Sequence, residues 1–276
     1  MRPTFPAVMV LFACACGPLA AQTGLPDGGT ARAAGSGIVQ ARYIAPTTRY
    51  AHGVLGDAIE AGGLEARDAA GMRHLLMLPE NAVFEDITPR LADLDGDGAA
   101  EAVVVVSYRD RGAALAVYGL RGGELARLAE TAPIGRANRW LNPAAIADFT
   151  GDGRSEIAIV RTPHIGGRLE LYSYPRGSLM RLAALDGFSN HVIGSRVLDL
   201  AEVADVDGDG IADLVLPDQA RTALVAVSFT GGRARVLGRA AVPAPIAGPV
   251  TRSGSSAAMR LAGGRRVSVP LAALRP

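Results

Sequence analysis

The sequence predicts an all-β fold: a β-propeller of about five four-stranded blades. Three observations carry that expectation. An acidic segment recurs three times in 276 residues, and its first aspartates, Asp93, Asp148 and Asp205, stand 55 and 57 residues apart. Each segment leads into three short strands, which with the strand preceding it makes four per repeat. Glycine at 34 residues and proline at 17, beside 49% hydrophobic and only 5% aromatic residues, describe a folded, turn-rich chain of small strands. A fixed period of this kind marks propellers and solenoids, and four strands are the content of one propeller blade.

Taken in chain order, Met1 to Ala21 reads as an export signal. Arg2 gives a positive start, Val8 to Ala15 is apolar, and Pro18-Leu19-Ala20-Ala21 supplies small residues before Gln22. The apolar run is shorter than the roughly 20 residues a bilayer requires. No later stretch qualifies, so no transmembrane segment is expected. Leu11-Phe12-Ala13-Cys14 also has the outline of a lipobox, which makes a lipid anchor at Cys14 the alternative to a cleaved periplasmic or secreted protein. Both cysteines, Cys14 and Cys16, lie in this leader, so cleavage after Ala21 leaves no thiol and no disulfide. Residues 22–36, rich in Gly, Ala and Thr, read as a linker, and 37–276 as the propeller.

Within 37–276 the clear repeats span about 85–240. Their strands are expected at Ala102–Val106, Ala114–Tyr118 and Glu124–Leu128; at Ile157–Val160, Leu169–Tyr174 and Leu179–Ala183; and at Leu214–Leu216, Ala223–Ser228 and Arg233–Gly238. Degenerate copies flank them: Tyr50–Leu55, Gly63–Arg67 and Arg73–Leu78 before, Gly248–Arg252, Ala257–Leu261 and Arg266–Leu271 after. The last copy lacks a fourth strand. Ile38–Tyr43 is spare, and is expected to pair there, closing the ring and removing two sheet edges.

The acidic loops carry the chemistry. Asp93, Asp95, Asp97 and Glu101 place carboxylates at positions 1, 3, 5 and 9, and Asp205, Asp207, Asp209 and Asp213 repeat the pattern. Asp148, Thr150, Asp152 and Glu156 repeat it with a hydroxyl at position 3. Alternate oxygen donors in a glycine-bent loop suit a hard divalent cation, and favour Ca²⁺ over Zn²⁺ or Mg²⁺. The position-7 carbonyls of Ala99, Arg154 and Ile211 would complete each shell. An EF-hand opens alike but requires a bidentate Glu at position 12 between helices. Position 12 here is Val104, Ile159 or Leu216, inside an apolar strand, and the EF-hand reading fails. A position-9 acid followed by a strand resembles the FG-GAP or VCBS-type repeat of integrin-like and bacterial calcium-binding propellers. The resemblance covers about 85–240 and implies up to three structural Ca²⁺ ions. Outside it, Gly56-Asp57 is only a remnant of the loop, and no ion is expected there.

Composition narrows the function. All 28 basic residues are arginine, which excludes phosphate-loop, kinase-type and Schiff-base lysine chemistry. With 27 acidic residues the balance is near neutral, against a nucleic-acid partner. Three bound Ca²⁺ would shift the mature chain to about +6, taking +2 per ion. No catalytic motif of the nucleophile-elbow, zinc-protease or dinucleotide type is present. Of His52, His74, His164 and His191, the last two fall in irregular segments and with Trp140 and Arg161 form a possible ligand face. The expected function is a non-catalytic binding module for a protein or glycan. A structural or accessory envelope component and a polysaccharide-active enzyme using His164 or His191 are the alternatives.

Overall fold

The computed structural model describes residues 23–275; the expected signal and the Cys14 anchor lie outside the described residues. The chain is nearly all β, in antiparallel groups that follow one another along the sequence. The first comprises β1 (Thr30–Arg32), β2 (Ser36–Thr47), β3 (Glu60–Asp68) and β4 (Arg73–Met77). A short β5 (Ala82–Phe84) leads to the second, β6 (Arg90–Ala92), β7 (Ala99–Tyr108), β8 (Gly112–Arg121) and β9 (Glu124–Glu130). The third is β10 (Leu141–Ala147), β11 (Glu156–Arg161), β12 (Arg168–Ser173) and β13 (Met180–Asp186). The fourth is β14 (Glu202–Ala204), β15 (Asp213–Pro217), β16 (Ala223–Ser228) and β17 (Arg235–Ala241). The fifth has β18 (Ile246–Ser253), β19 (Ser256–Leu261) and β20 (Arg266–Pro270).

The strands expected in the three repeats all form, with ends shifted by a few residues. Their apolar runs are buried on both faces because each sheet is stacked between two others. Along β7, Val103 and Val105 enter one cluster with Ile157 and Ile159 of the third group. The alternate residues Ala102, Val104 and Val106 enter another with Tyr43 and Leu64 of the first. The pattern repeats: Ala158 and Val160 pack with Leu214 and Leu216, while Val215 and Leu224 pack with Val250 and Met259. Four clusters thus fill the gaps between five consecutive groups. A period-2 strand can serve two cores at once only in such a stack.

Four expectations are corrected. Ile38–Tyr43 does not join the last group: β2 pairs along its length with β3, from Ile38 opposite Asp68 to Thr47 opposite Glu60. Its buried residues Ile38, Ala41 and Tyr43 belong to the first cluster, so burial fixes that strand locally, and the fifth group stays three-stranded. The first two groups also merge into one nine-stranded sheet, through β5 and through a parallel contact of Ser36 and Gly37 with Ala99 and Ala100. Tyr50–Leu55 is not a strand. Its apolar residues instead plug a gap, with Val54 and Leu55 in the cluster of the second and third groups. Finally, the stretch read as a linker is packed: it carries β1, buries Leu25, and bonds Gly29 N to Ile87 O at 3.1 Å.

Antiparallel pairing sorts the connections into two ends. The acidic loops join β6–β7, β10–β11 and β14–β15 at one end. The β7–β8, β9–β10, β11–β12, β13–β14 and β15–β16 connections lie at the other. Across this second end, the long β13–β14 connection reaches back to the first group. Gly194 N donates to Val54 O at 2.8 Å, and Arg196 pairs with both Asp27 and Asp57. Gly167, in the β11–β12 turn, permits a further close approach there: a Cβ on it would lie 1.7 Å from Phe188 O. Gly167→Ala is therefore expected to cost about 1–3 kcal/mol by overpacking, read as a lower urea midpoint at unchanged m.

Candidate metal centres and a histidine cluster

The three acidic loops share one local construction. In the first, both oxygens of Asp93 accept backbone N–H bonds, from Gly96 at 2.7 Å and Gly98 at 2.9 Å. Asp148 does the same with Gly151 and Gly153, and Asp205 with Gly208 and Gly210. Those six glycines all have positive φ, from 78° to 89°, a region open to Gly without strain. The loop therefore folds around its first aspartate. The ninth residue sits on the following strand and reaches back: Glu101 Oε2 accepts from Leu94 N at 3.1 Å, Glu156 Oε2 from Phe149 N at 2.9 Å, and Asp213 Oδ2 from Val206 N at 2.8 Å.

One carboxylate oxygen from each of Asp93, Asp95 and Glu101 lies within 4.8 Å of the others. Asp148, Asp152 and Glu156 form the second such group, and Asp205, Asp207 and Asp213 the third. Asp97 and Asp209 stand outside these groups and accept the Ala99 and Ile211 N–H bonds. Where Thr150 replaces the position-3 acid, its hydroxyl donates to Glu156 at 3.2 Å and Asp152 joins the group instead. Arg235 lies 3.4 Å from Asp207.

The ninth-position acids are buried, and burial disfavours their charged form. It pushes Glu101 up to about 7 and Asp213 up to about 6, with the neighbouring aspartates adding to both. Glu156 is raised for the same first reason. Asp213 Oδ1 is buried and has no hydrogen-bond partner. A buried carboxylate oxygen without a partner, beside two further carboxylates, is the arrangement a divalent cation relieves. The donor set, all oxygen, fits Ca²⁺.

His164 and His191, expected as candidates, do meet at the opposite end. His164 Nε2 and His191 Nδ1 are 2.9 Å apart, and His191 Nε2 lies 2.9 Å from Ser195 O. A carbonyl only accepts, so His191 Nε2 carries a proton and its Nδ1 accepts from His164 Nε2–H. Trp140 stacks on His164, with the planes 7° apart, and meets His191 edge-on. Burial is the first cause that lowers both imidazoles to about 4. Reciprocal bonds between buried Asn142 and Asn190 pin the His191 segment onto β10. Arg161, expected on the same face, donates to Ile134 O at 3.1 Å.

His52 is a partner that the sequence did not reveal. Its Nδ1 lies 2.6 Å from Oε1 of the fully buried Glu85, which also accepts from Ser107 Oγ. Trp140 Nε1 donates to Glu85 O at 2.9 Å. A depression of about 70 Å³ lies among His52, Asn138, Trp140, Thr162, His164 and Ile193. Asn138 and Thr162 both hold positive φ, 53° and 50°, and such backbone strain clusters at functional sites. The remaining candidate, His74, bonds to Asp68 at 3.0 Å on β4, away from this cluster.

Residues 87–159 match the family described as the FG-GAP-like repeat, which supports an FG-GAP-type repeat protein. The match spans the first two acidic loops; the third, with the same geometry, lies beyond it. The repeat suggests a β-propeller-like interaction module. No curated protein matches the chain. Among the described residues, no helix is long and apolar enough to cross a membrane.

Proposed function

We propose that this is an exported, calcium-supported β-propeller-like interaction module, with five blades formed by the five stacked groups. The observation that carries the calcium reading is the threefold recurrence of one carboxylate group, each with a buried ninth acid. Up to three ions would be held by Asp93, Asp95 and Glu101, by Asp148, Asp152 and Glu156, and by Asp205, Asp207 and Asp213. The carbonyls of Ala99, Arg154 and Ile211 complete the shells, and Asp97, Thr150 and Asp209 stand close by. The ion is structural: it neutralises converging carboxylates and locks the turn between two strands.

The opposite end, where the connections converge, presents the surface for a partner. Its histidines are occupied with each other and with Ser195, which supports binding over catalysis. Exposed Ile165 and Ile193 flank the depression there, and apolar side chains at a depression favour a protein partner over a glycan. The export reading rests on the sequence of residues 1–21.

Calorimetric titration of the metal-free protein with Ca²⁺ tests the core of this reading. Saturable binding of two or three ions is expected, with Kd of ~10⁻⁴ to 10⁻³ M. Asp207→Ala is expected to remove one of them. No heat and no change in the melting curve, with metal removal verified, would overturn the proposal.

A further inference from the structure

The last 58 residues, 219–276, contain nine arginines and not one aspartate or glutamate. In a chain of balanced charge, this is a strong segregation, and part of it is gathered on one surface. The inner face of β18–β20 packs Val250, Ala257, Met259, Leu261 and Val269 into the core. The outer face carries Thr251, Arg260, Arg266 and Ser268, all exposed. It holds a depression of about 600 Å³ between them and Pro249.

Two features mark this face as a concentration of unpaired positive charge. Arg260 and Arg266 are directly opposite each other across β19 and β20. Like charges in that relation destabilise a sheet. Among the described residues, neither pairs with an acid, and neither does Arg265 beside them. Gly248, on the neighbouring strand, leaves the room that Arg260 occupies: a Cβ there would come within 2.9 Å of Arg260 Cβ and 3.1 Å of its Nε.

We infer that the outer face of β18–β20 binds the phosphate groups of a hydroxyl-rich chain, a polyol phosphate. Two opposed guanidinium forks suit the two charged oxygens of each bridging phosphate, and the exposed Thr251 and Ser268 hydroxyls are left to bond the hydroxyls of the chain between phosphates. The face has no aromatic side chain on which a nucleic-acid base would stack. It also lacks the exposed large apolar anchor that a protein interface centres on; Met259 points inward. None of the acidic-loop residues lines this face, so the inference stands independently of calcium.

The test titrates the full chain, by calorimetry, with a glycerol-phosphate oligomer, its dephosphorylated polyol, a thymidine oligonucleotide and polyglutamate of equal charge. The phosphate oligomer is expected to bind, and the polyol is not. Arg260→Ser with Arg266→Ser should weaken binding at least about tenfold, as loss of charge-assisted bonds implies. The same double variant should melt higher than the native protein at low salt, with the difference gone at high salt. That melt also shows that it is folded. Undiminished binding by the double variant, or equal binding of the oligonucleotide or polyglutamate by the native chain, would overturn the inference. So would no binding of the phosphate oligomer.

Discussion

Calcium at 10 mM is expected to raise the melting temperature of the chelator-treated protein by about 10–30 °C if all three loops fill. Linkage sets the size. A site with Kd of ~10⁻⁴ M at a hundredfold excess of ligand adds ~2.7 kcal/mol. For a chain of this size each kcal/mol moves the midpoint by about 2–4 °C. One filled site therefore shifts it by about 5–10 °C, and weaker sites add less. The geometry gives a sharper form of this expectation, in which one substitution changes sign. Asp213 is fully buried, with one oxygen unpartnered and Asp205 and Asp207 beside it. Without metal, that carboxylate costs stability, and Asp213→Asn should raise the midpoint in EDTA. With metal, the same carboxylate is a ligand, and the variant should lose the share of the calcium shift that the third site supplies. A variant that lowers the midpoint equally in both conditions would show that Asp213 acts through packing alone.

The loops were legible because their chemistry is local. Positions 1, 3, 5 and 9 are close in sequence, the glycines announce the turn, and the following apolar run announces the strand. What could not be read there is which acids converge. Asp97 and Asp209 count as ligands by position, yet their side chains accept the N–H groups two residues on. The repeat strands were legible for a related reason: each feeds two cores, so nearly every residue is apolar. The first group was harder. Val54 and Leu55 look like strand residues because they are buried, but they fill a gap between sheets without pairing. An alternating strand such as β2 states which face is buried and not which neighbour it joins, which here is β3. The His52–Glu85 contact joins residues 33 apart on different connections, and nothing periodic links them. His164 and His191 lie in irregular segments, and irregular segments at one end of a stack are what the topology brings together.

Replacing His164 with phenylalanine should make the protein less stable at pH 8 and more resistant to acid, so that the two stability curves cross. At pH 8 the imidazole is neutral in both folded and unfolded chains. The variant keeps an aromatic ring against Trp140 but leaves His191 Nδ1 without its donor. A lost buried hydrogen bond costs about 1 kcal/mol. On acidification the balance changes. Burial, with His191 and Arg221 adding repulsion, depresses folded His164 to about 4, whereas the unfolded side chain titrates near the usual 6.5. Between those values the unfolded chain binds the proton and the folded chain does not. Native stability therefore falls as pH drops through this window. His191, depressed to about 4 chiefly by burial, contributes in the same direction and remains in the variant. Glu60 opposes both: burial raises it to about 9, so the folded chain holds its proton where the unfolded chain has released it. Only the difference between native protein and variant isolates His164. Urea midpoints at pH 8, 6, 5 and 4 provide that difference. It should shrink below pH 6.5 and reverse sign, and a constant difference across the series would mean that His164 is charged or solvated in the folded protein.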